Sequence, residues 1–336
     1  MKAILCVQPA ELKVVDRPVP ERKPGQVLLR IRKVGLCGTD FHIFGGNQPY
    51  LEYPRVMGHE LGAVVEAADP ASGLSPGQLV TVMPYLACGH CHACSHGKPN
   101  CCTQIQVLGV HIDGGMSEFL SVPEAAVIPV DGLEPDEAAM IEFLAIGAHA
   151  VRRGDVGASE RVLVVGAGPI GIGICLFARL AGASVTLIDT SSTRLKYARD
   201  KLSIDRTHQV SDNIDAVLAA ETSGDFFDIV FDATGNRQAM ETGFSYVAHG
   251  GRYVLVSIVK GDIAFSDPEF HKREMTLLSS RNATADDFQH VIQSIRSGSI
   301  PTRALATHRL TLDELPSRMP ELIEQQGNIL KAIASV

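Results

Sequence analysis

The sequence predicts an α/β plus β protein in two parts, an all-β region followed by a doubly wound parallel sheet. Three observations carry this. Up to about residue 135, short β-like runs such as QVLLRIRKVG alternate with Pro/Gly turns such as PVPERKPGQ. Beyond it, apolar strands alternate with amphipathic stretches long enough for helices, as in RVLVVGAG followed by PIGIGICLFARLAG. Strands that are apolar without alternation are buried on both faces, as in a parallel sheet covered by helices. At 336 residues the chain is long enough for two cores.

Taken in order, MKAILCVQ reads as an edge strand, cut off by Pro9 and Glu11. QVLLRIRKVG, LGAVVEA and SPGQLVTVMPY follow, then a cysteine-rich loop over 88–102, then MSEFLSV and AAVIPV. DEAAMIEFLAIGAHAVRR is a helix opened by Pro135 and Asp136, since proline and an acidic residue suit a first turn. Three strand–helix pairs come next, RVLVV, SVTLID and FDIVFD each leading into a helix, and RYVLVSI supplies a further strand. From about residue 282 the chain is helical (DDFQHVIQSIRSG) and closes on the strand-like ILKAIASV.

Composition narrows the function. The chain is 45% hydrophobic and 20% charged, and its net charge of −8 offers no basic face for nucleic acid. No run is long enough to span a membrane, and the apolar start is too short for a secretion signal, so the expected compartment is the cytoplasm. Clustered cysteines in a reducing compartment bind metals more often than they pair.

Five of the eight cysteines fall in CGHCHACSHGKPNCC. Cys88, Cys91, Cys94 and Cys102 are spaced C-x2-C-x2-C-x7-C, which suits four thiolates around one tetrahedral zinc. Cys101 is a competing fourth ligand. A four-thiolate site leaves no position for substrate, so its expected role is structural. A second constellation lies upstream. Cys37, in VGLCGTDFH, and His59 followed by Glu60, in MGHELG, put a thiolate, an imidazole and a carboxylate on separate segments, as an open catalytic zinc site requires. Thr39 and His42 stand close enough behind Cys37 to relay a proton.

RVLVVGAGPIGIG is a strand running into Gly166-x-Gly168-x-x-Gly171 at the start of a helix, and Asp189 ends the next strand 23 residues after Gly166. That context makes the glycine pattern a dinucleotide site. The helix N-terminus takes the pyrophosphate and Asp189 the adenosine ribose. A carboxylate there repels a 2′-phosphate and so favours NAD over NADP, a preference weakened by Arg194 nearby.

The motifs Cys37-Gly-Thr-Asp-x-His42, Gly58-His59-Glu60, the four-cysteine lobe, Glu142 in IEFLA and GAGPIG resemble, in this order, the zinc-dependent medium-chain alcohol and polyol dehydrogenases. The resemblance implies a GroES-like domain over 1–147 and 282–336, interrupted by a Rossmann NAD-binding domain over 148–281, with the active site in the cleft between them. It implies Cys37 and His59 as catalytic zinc ligands, Glu60 as a third ligand or a carboxylate exchanging with water, and Glu142 as a direct or water-mediated ligand. Thr39 and His42 become the proton relay. Gly166, Gly168, Pro169, Ile170, Gly171, Asp189 and Arg194 hold the cofactor, and Lys331 contacts its phosphates. Glutamate at 142 and the segment EMTLLSSRNATADDF resemble the polyol and sugar-acid branch, in particular L-galactonate- or L-idonate-type 5-dehydrogenases.

The implied activity is oxidation of a secondary alcohol of a polyol or sugar acid to a ketone, by hydride transfer to NAD, in a homodimer or homotetramer with one catalytic and one structural zinc. Threonine-type, sorbitol-type and simple alcohol dehydrogenases are alternatives within the family. A zinc lyase or zinc-free reductase on the same fold, a zinc-lobed nucleic-acid binder and an NAD-sensing protein are rivals outside it. Residues selecting the substrate are expected in loops near Phe44–Tyr53, His111–Met116 and Ser257–Lys260.

Overall fold

A computed structural model describes residues 1–48 and 51–336. The chain forms two compact units, Met1–Phe143 with Thr284–Val336, and Leu144–Ala283. These boundaries differ by four and two residues from those read in the sequence. The reason is local: the chain leaves the first unit in the middle of one helix, Pro135–Arg153, where no turn residue marks a border.

In the first unit a seven-stranded sheet is centred on Gln26–Leu36. Glu60–Ala67 pairs with one edge of this strand and Lys331–Ser335 with the other, both antiparallel. The register sets Gly35 opposite Glu60 and Leu36 opposite Ala332. Two distant segments are thereby brought to the point where the central strand runs into Cys37. Alternate residues Val27, Leu29 and Ile31 are buried, as a strand with one core-facing side requires. The first strand, Lys2–Gln8, is not an edge strand as expected. It lies between Glu11–Asp16 and Arg55–Val56, with Ala3, Ile4 and Cys6 fully buried. Its second neighbour, Arg55–Val56, is two residues long, too short to leave a period in the sequence.

The second unit is a six-stranded sheet, parallel throughout, in the order Thr207–Gln209, Ser184–Asp189, Arg161–Val165, Phe227–Asp232, Val247–Leu255, Thr276–Ser279. The first strand in sequence is central, so strand order reverses at its carboxyl end, where open α/β sheets bind ligands. Among the described residues no helix is long and apolar enough to cross a membrane.

Candidate active site and metal centres

The central strand of the first unit ends at Leu36, and Cys37 caps the helix Gly38–Phe44. The Cys37 sulfur accepts from Thr39 N at 3.1 Å, while Asp40 Oδ2 accepts from Cys37 N at 2.9 Å. This reciprocal box holds Cys37 and Asp40 side by side. The helix was not anticipated, because a cysteine cap is not among the usual start signals. Thr39 is half-buried on its first turn, and His42 is exposed one turn on.

His59 stands just before the neighbouring strand, Glu60–Ala67, and its Nε2 lies 3.1 Å from Cys37 Sγ. Zinc ligands at about 2.0 Å (nitrogen) and about 2.3 Å (sulfur) in a tetrahedron lie roughly 3.5 Å apart, so this separation suits a shared ion. Cys37, Asp40 and His59 each bring a donor atom within 4.8 Å of the others. Asp40 Oδ1 and His59 Nδ1 are buried without hydrogen-bond partners. Burial lowers the imidazole pKa, but the charges of Cys37, Asp40 and Glu142 outweigh it and hold the group well above its ordinary value. A pocket this rich in anionic groups fits a cation. Backbone bonds from Gly114, Gly115 and Met116 to Val56, Gly58 and Met57 brace the His59 approach.

Glu60 and Lys331 depart from expectation. Both are fully buried, and Lys331 Nζ lies 2.5 and 2.6 Å from the two carboxylate oxygens of Glu60. It also donates to Leu36 O at 3.1 Å and lies 4.4 Å over the Phe143 ring. The reading of Lys331 as a contact for cofactor phosphates is therefore corrected. Its charge is spent on Glu60, and no part of it meets solvent. Burial still pushes the Glu60 carboxyl up to about 7 against the pull of Lys331. Room for that carboxylate comes from Gly35, where a Cβ would run into Glu60 Oε2.

Glu142, from the middle of the helix Pro135–Arg153, is buried, and Tyr85 Oη donates to its Oε1. Burial first, and the Glu142 charge second, raise the Tyr85 phenol well above its usual range, so it stays protonated. Glu142 is not among the donor atoms gathered with Cys37 and His59. Sequence reasoning passed over Asp40 as a donor, though it stood in the quoted motif, and gave no signal for Tyr85.

The cysteine lobe closes at the base of a two-stranded ladder, Tyr85–Leu86 on Gln106–Val107. Cys88, Cys91, Cys94 and Cys102 bring their sulfurs within 4.8 Å of one another, while Cys101 is exposed outside the cluster. Cys91 and Cys94 sulfurs are 3.5 Å apart, near the roughly 3.8 Å between thiolates on tetrahedral zinc and far from a covalent S–S bond of about 2.05 Å. Amides aim at the sulfurs: Cys88 N and Gln104 N at Cys102, and Cys91 N at Cys88, each at 3.3 Å. Such amides lower Cys102, and those of Cys94 and Thr103 bring Cys91 to about 5, whereas burial and the neighbouring Cys91 sulfur push Cys94 up to about 12, so the lobe without metal holds a mixture of thiolate and thiol. Donors converging on sulfur favour thiolates, the form a soft metal binds.

In the second unit, Gly166 turns the chain with φ +105°, and Gly168 caps the helix Pro169–Leu180 with nothing within 4 Å of a Cβ placed there. At Gly171 a Cβ would collide with Gly166 O. These are the three tasks of a dinucleotide fingerprint: tight turn, open approach and close helix packing. Pro169 and Ile170 form the first helical turn. Asp189 closes its strand, accepting from Ala167 N at 2.6 Å and Ser191 N at 2.7 Å, with Arg194 Nη1 4.0 Å away. Of the three expected substrate loops, the first includes Pro49 and Tyr50, which lie outside the described residues. In the third, Ile258 is 83% exposed.

Both units match known families. The alcohol dehydrogenase GroES-like domain matches residues 23–132, and the zinc-binding dehydrogenase domain matches residues 169–297. L-galactonate-5-dehydrogenase of Escherichia coli K12 is 43% identical over 334 residues, 99% of this chain and 98% of that protein. An alcohol dehydrogenase (rspB) from Escherichia coli CFT073, solved with NADH, superposes with a TM-score of 0.92 at 30% identity over 100% of this chain and 99% of its own. A zinc-binding dehydrogenase homologue from Sinorhizobium meliloti 1021, bound to NADP, gives 0.89 at 25% identity over 100% and 99%. With both domains matched and likeness running end to end, the chain belongs to the zinc-binding alcohol dehydrogenase family, whose members are NAD(P)-dependent oxidoreductases acting on CH–OH groups.

Proposed function

We propose that this enzyme oxidises a secondary hydroxyl of a sugar acid or polyol to a ketone, with zinc at Cys37 and His59, a second zinc in the cysteine lobe, and NAD in preference to NADP. The observation that carries this is the 3.1 Å pairing of Cys37 Sγ with His59 Nε2 beside buried acidic groups, in a chain 43% identical along its length to an L-galactonate-5-dehydrogenase. Zinc, when bound, would supply the charge that acidifies the substrate hydroxyl, and NAD would supply the acceptor for the hydride.

The chain's own residues do the rest. Cys37, His59 and a neighbouring carboxylate, Asp40 or Glu142, supply the donors, while Glu60 is held in reserve by Lys331. Thr39, half-buried on the first turn behind Cys37, takes the hydroxyl proton. His42, exposed one turn later, delivers it to solvent. Gly168 and the helix behind it receive the pyrophosphate, with Pro169 and Ile170 in the first turn. Asp189, fixed by two backbone amides, accepts from the adenosine ribose. Arg194 beside it moderates the discrimination against a 2′-phosphate. We further propose a cytoplasmic homodimer or homotetramer.

The test is an absorbance screen at 340 nm with NAD and NADP against L-galactonate, other aldonic acids, polyols, threonine and simple alcohols. NADH formed fastest from an aldonic acid is the expected result. Reduction of neither cofactor by any of them overturns the proposal.

A further inference from the structure

Tyr85 has no part in the chemistry described so far, yet its hydroxyl donates to Glu142 Oε1. The residue lies three positions before Cys88, in the short ladder that closes the cysteine lobe. Tyr85 is 6% exposed and Glu142 2%, so water does not compete for this bond. Glu142 comes from a helix interior, where its backbone cannot shift to re-aim the carboxylate. With Oε1 taken by the phenol, Oε2 is the oxygen left for an ion held by Cys37 and His59, and because Glu142 lies outside the 4.8 Å donor group of Cys37, Asp40 and His59 it would reach that ion through water.

We propose that Tyr85 is a positioning residue for the catalytic metal centre: it fixes Glu142 with one oxygen presented to the ion held by Cys37 and His59. This rests on the dehydrogenase reading above. Hydrogen bonds of this kind orient ligating carboxylates, and their loss costs about 10- to 100-fold in metal affinity. Because the same residue anchors the lobe ladder, the base of the lobe and Glu142 are mechanically joined.

The experiment uses Tyr85→Phe, which removes only the hydroxyl and keeps the buried ring. Zinc affinity of each centre is measured by dialysis against graded chelator, and the geometry of the Cys37 centre by the d–d absorbance of its cobalt(II) form. Lobe zinc, retained, serves as the control for folding. The expected result is about 10- to 100-fold weaker binding at the Cys37 centre, an altered cobalt spectrum and an unchanged lobe. In a Glu142→Gln background, Tyr85→Phe adds no further loss, because it acts only through that carboxylate. Wild-type affinity and spectrum in Tyr85→Phe would overturn the proposal while leaving the dehydrogenase reading intact, as would a full effect persisting in the Glu142→Gln background. Wild-type protein holding zinc only in the lobe would overturn both.

Discussion

Replacing Lys331 by methionine leaves the Glu60 carboxylate fully buried beside an apolar chain. In the native protein both groups are 0% exposed, with Nζ 2.5 and 2.6 Å from the carboxylate oxygens. Removing one partner of such a pair costs about 3–5 kcal/mol, since the remaining charge is neither solvated nor compensated. For a unit of this size that lowers Tm by on the order of 10 °C. The loss depends on pH. Glu60 titrates at about 7 in the folded chain, above its ordinary 4.5. A carboxyl raised on folding contributes stability below its unfolded pKa and loses it as pH rises through the folded one. Without Lys331 the folded value climbs further, so Lys331→Met is mild at pH 5 and severe at pH 8. Thermal unfolding of chelator-treated protein at both pH values is the assay, with Lys331→Met/Glu60→Gln recovering much of the loss at pH 8. Equal losses at pH 5 and pH 8, or a variant as stable as wild type at pH 8, would refute the reasoning.

Other perturbations have equally definite outcomes. Burial pushes Asp136 up, but Lys33 and Arg309 outweigh it and hold the carboxyl below its ordinary 3.8. Its contribution is present above that value and lost as pH falls through the folded pKa, so Asp136→Asn should flatten the acid limb of the stability profile, measured by urea midpoints from pH 6 to pH 3. Cys91→Ser should release lobe zinc and remove hydrogen-exchange protection across residues 85–107, while protection in Arg161–Val165 stays unchanged. Gly171→Ala forces a Cβ onto Gly166 O and should abolish NADH binding, read by fluorescence titration, with the first unit's zinc content unaltered.

Much of this architecture could be read from residues alone, for physical reasons. The parallel sheet shows itself because strands buried on both faces are uniformly apolar. The glycine fingerprint shows itself because each glycine answers a separate steric demand. The thiolate lobe is local, with all four ligands inside fifteen residues. Lys331 was misread because a basic residue in a late strand carries no mark of the partner it meets 271 positions away. Only the register that flanks Gln26–Leu36 with Glu60 on one side and Lys331 on the other reveals the pair. Tyr85 was silent for the same reason: its partner lies 57 residues on, in another element. The helix behind Cys37 went unseen because its cap is a cysteine, which does two tasks at once.

The central claim is that Cys37 holds a catalytic zinc distinct from the one in the lobe. Elemental analysis of metal-washed wild type and Cys37→Ser, with NADH formation from L-galactonate read on the same samples, tests it most directly. Two zinc ions per wild-type chain, and one in a folded Cys37→Ser variant that has lost turnover, is the predicted result. A Cys37→Ser variant that keeps both ions, or turns over at the wild-type rate, contradicts it.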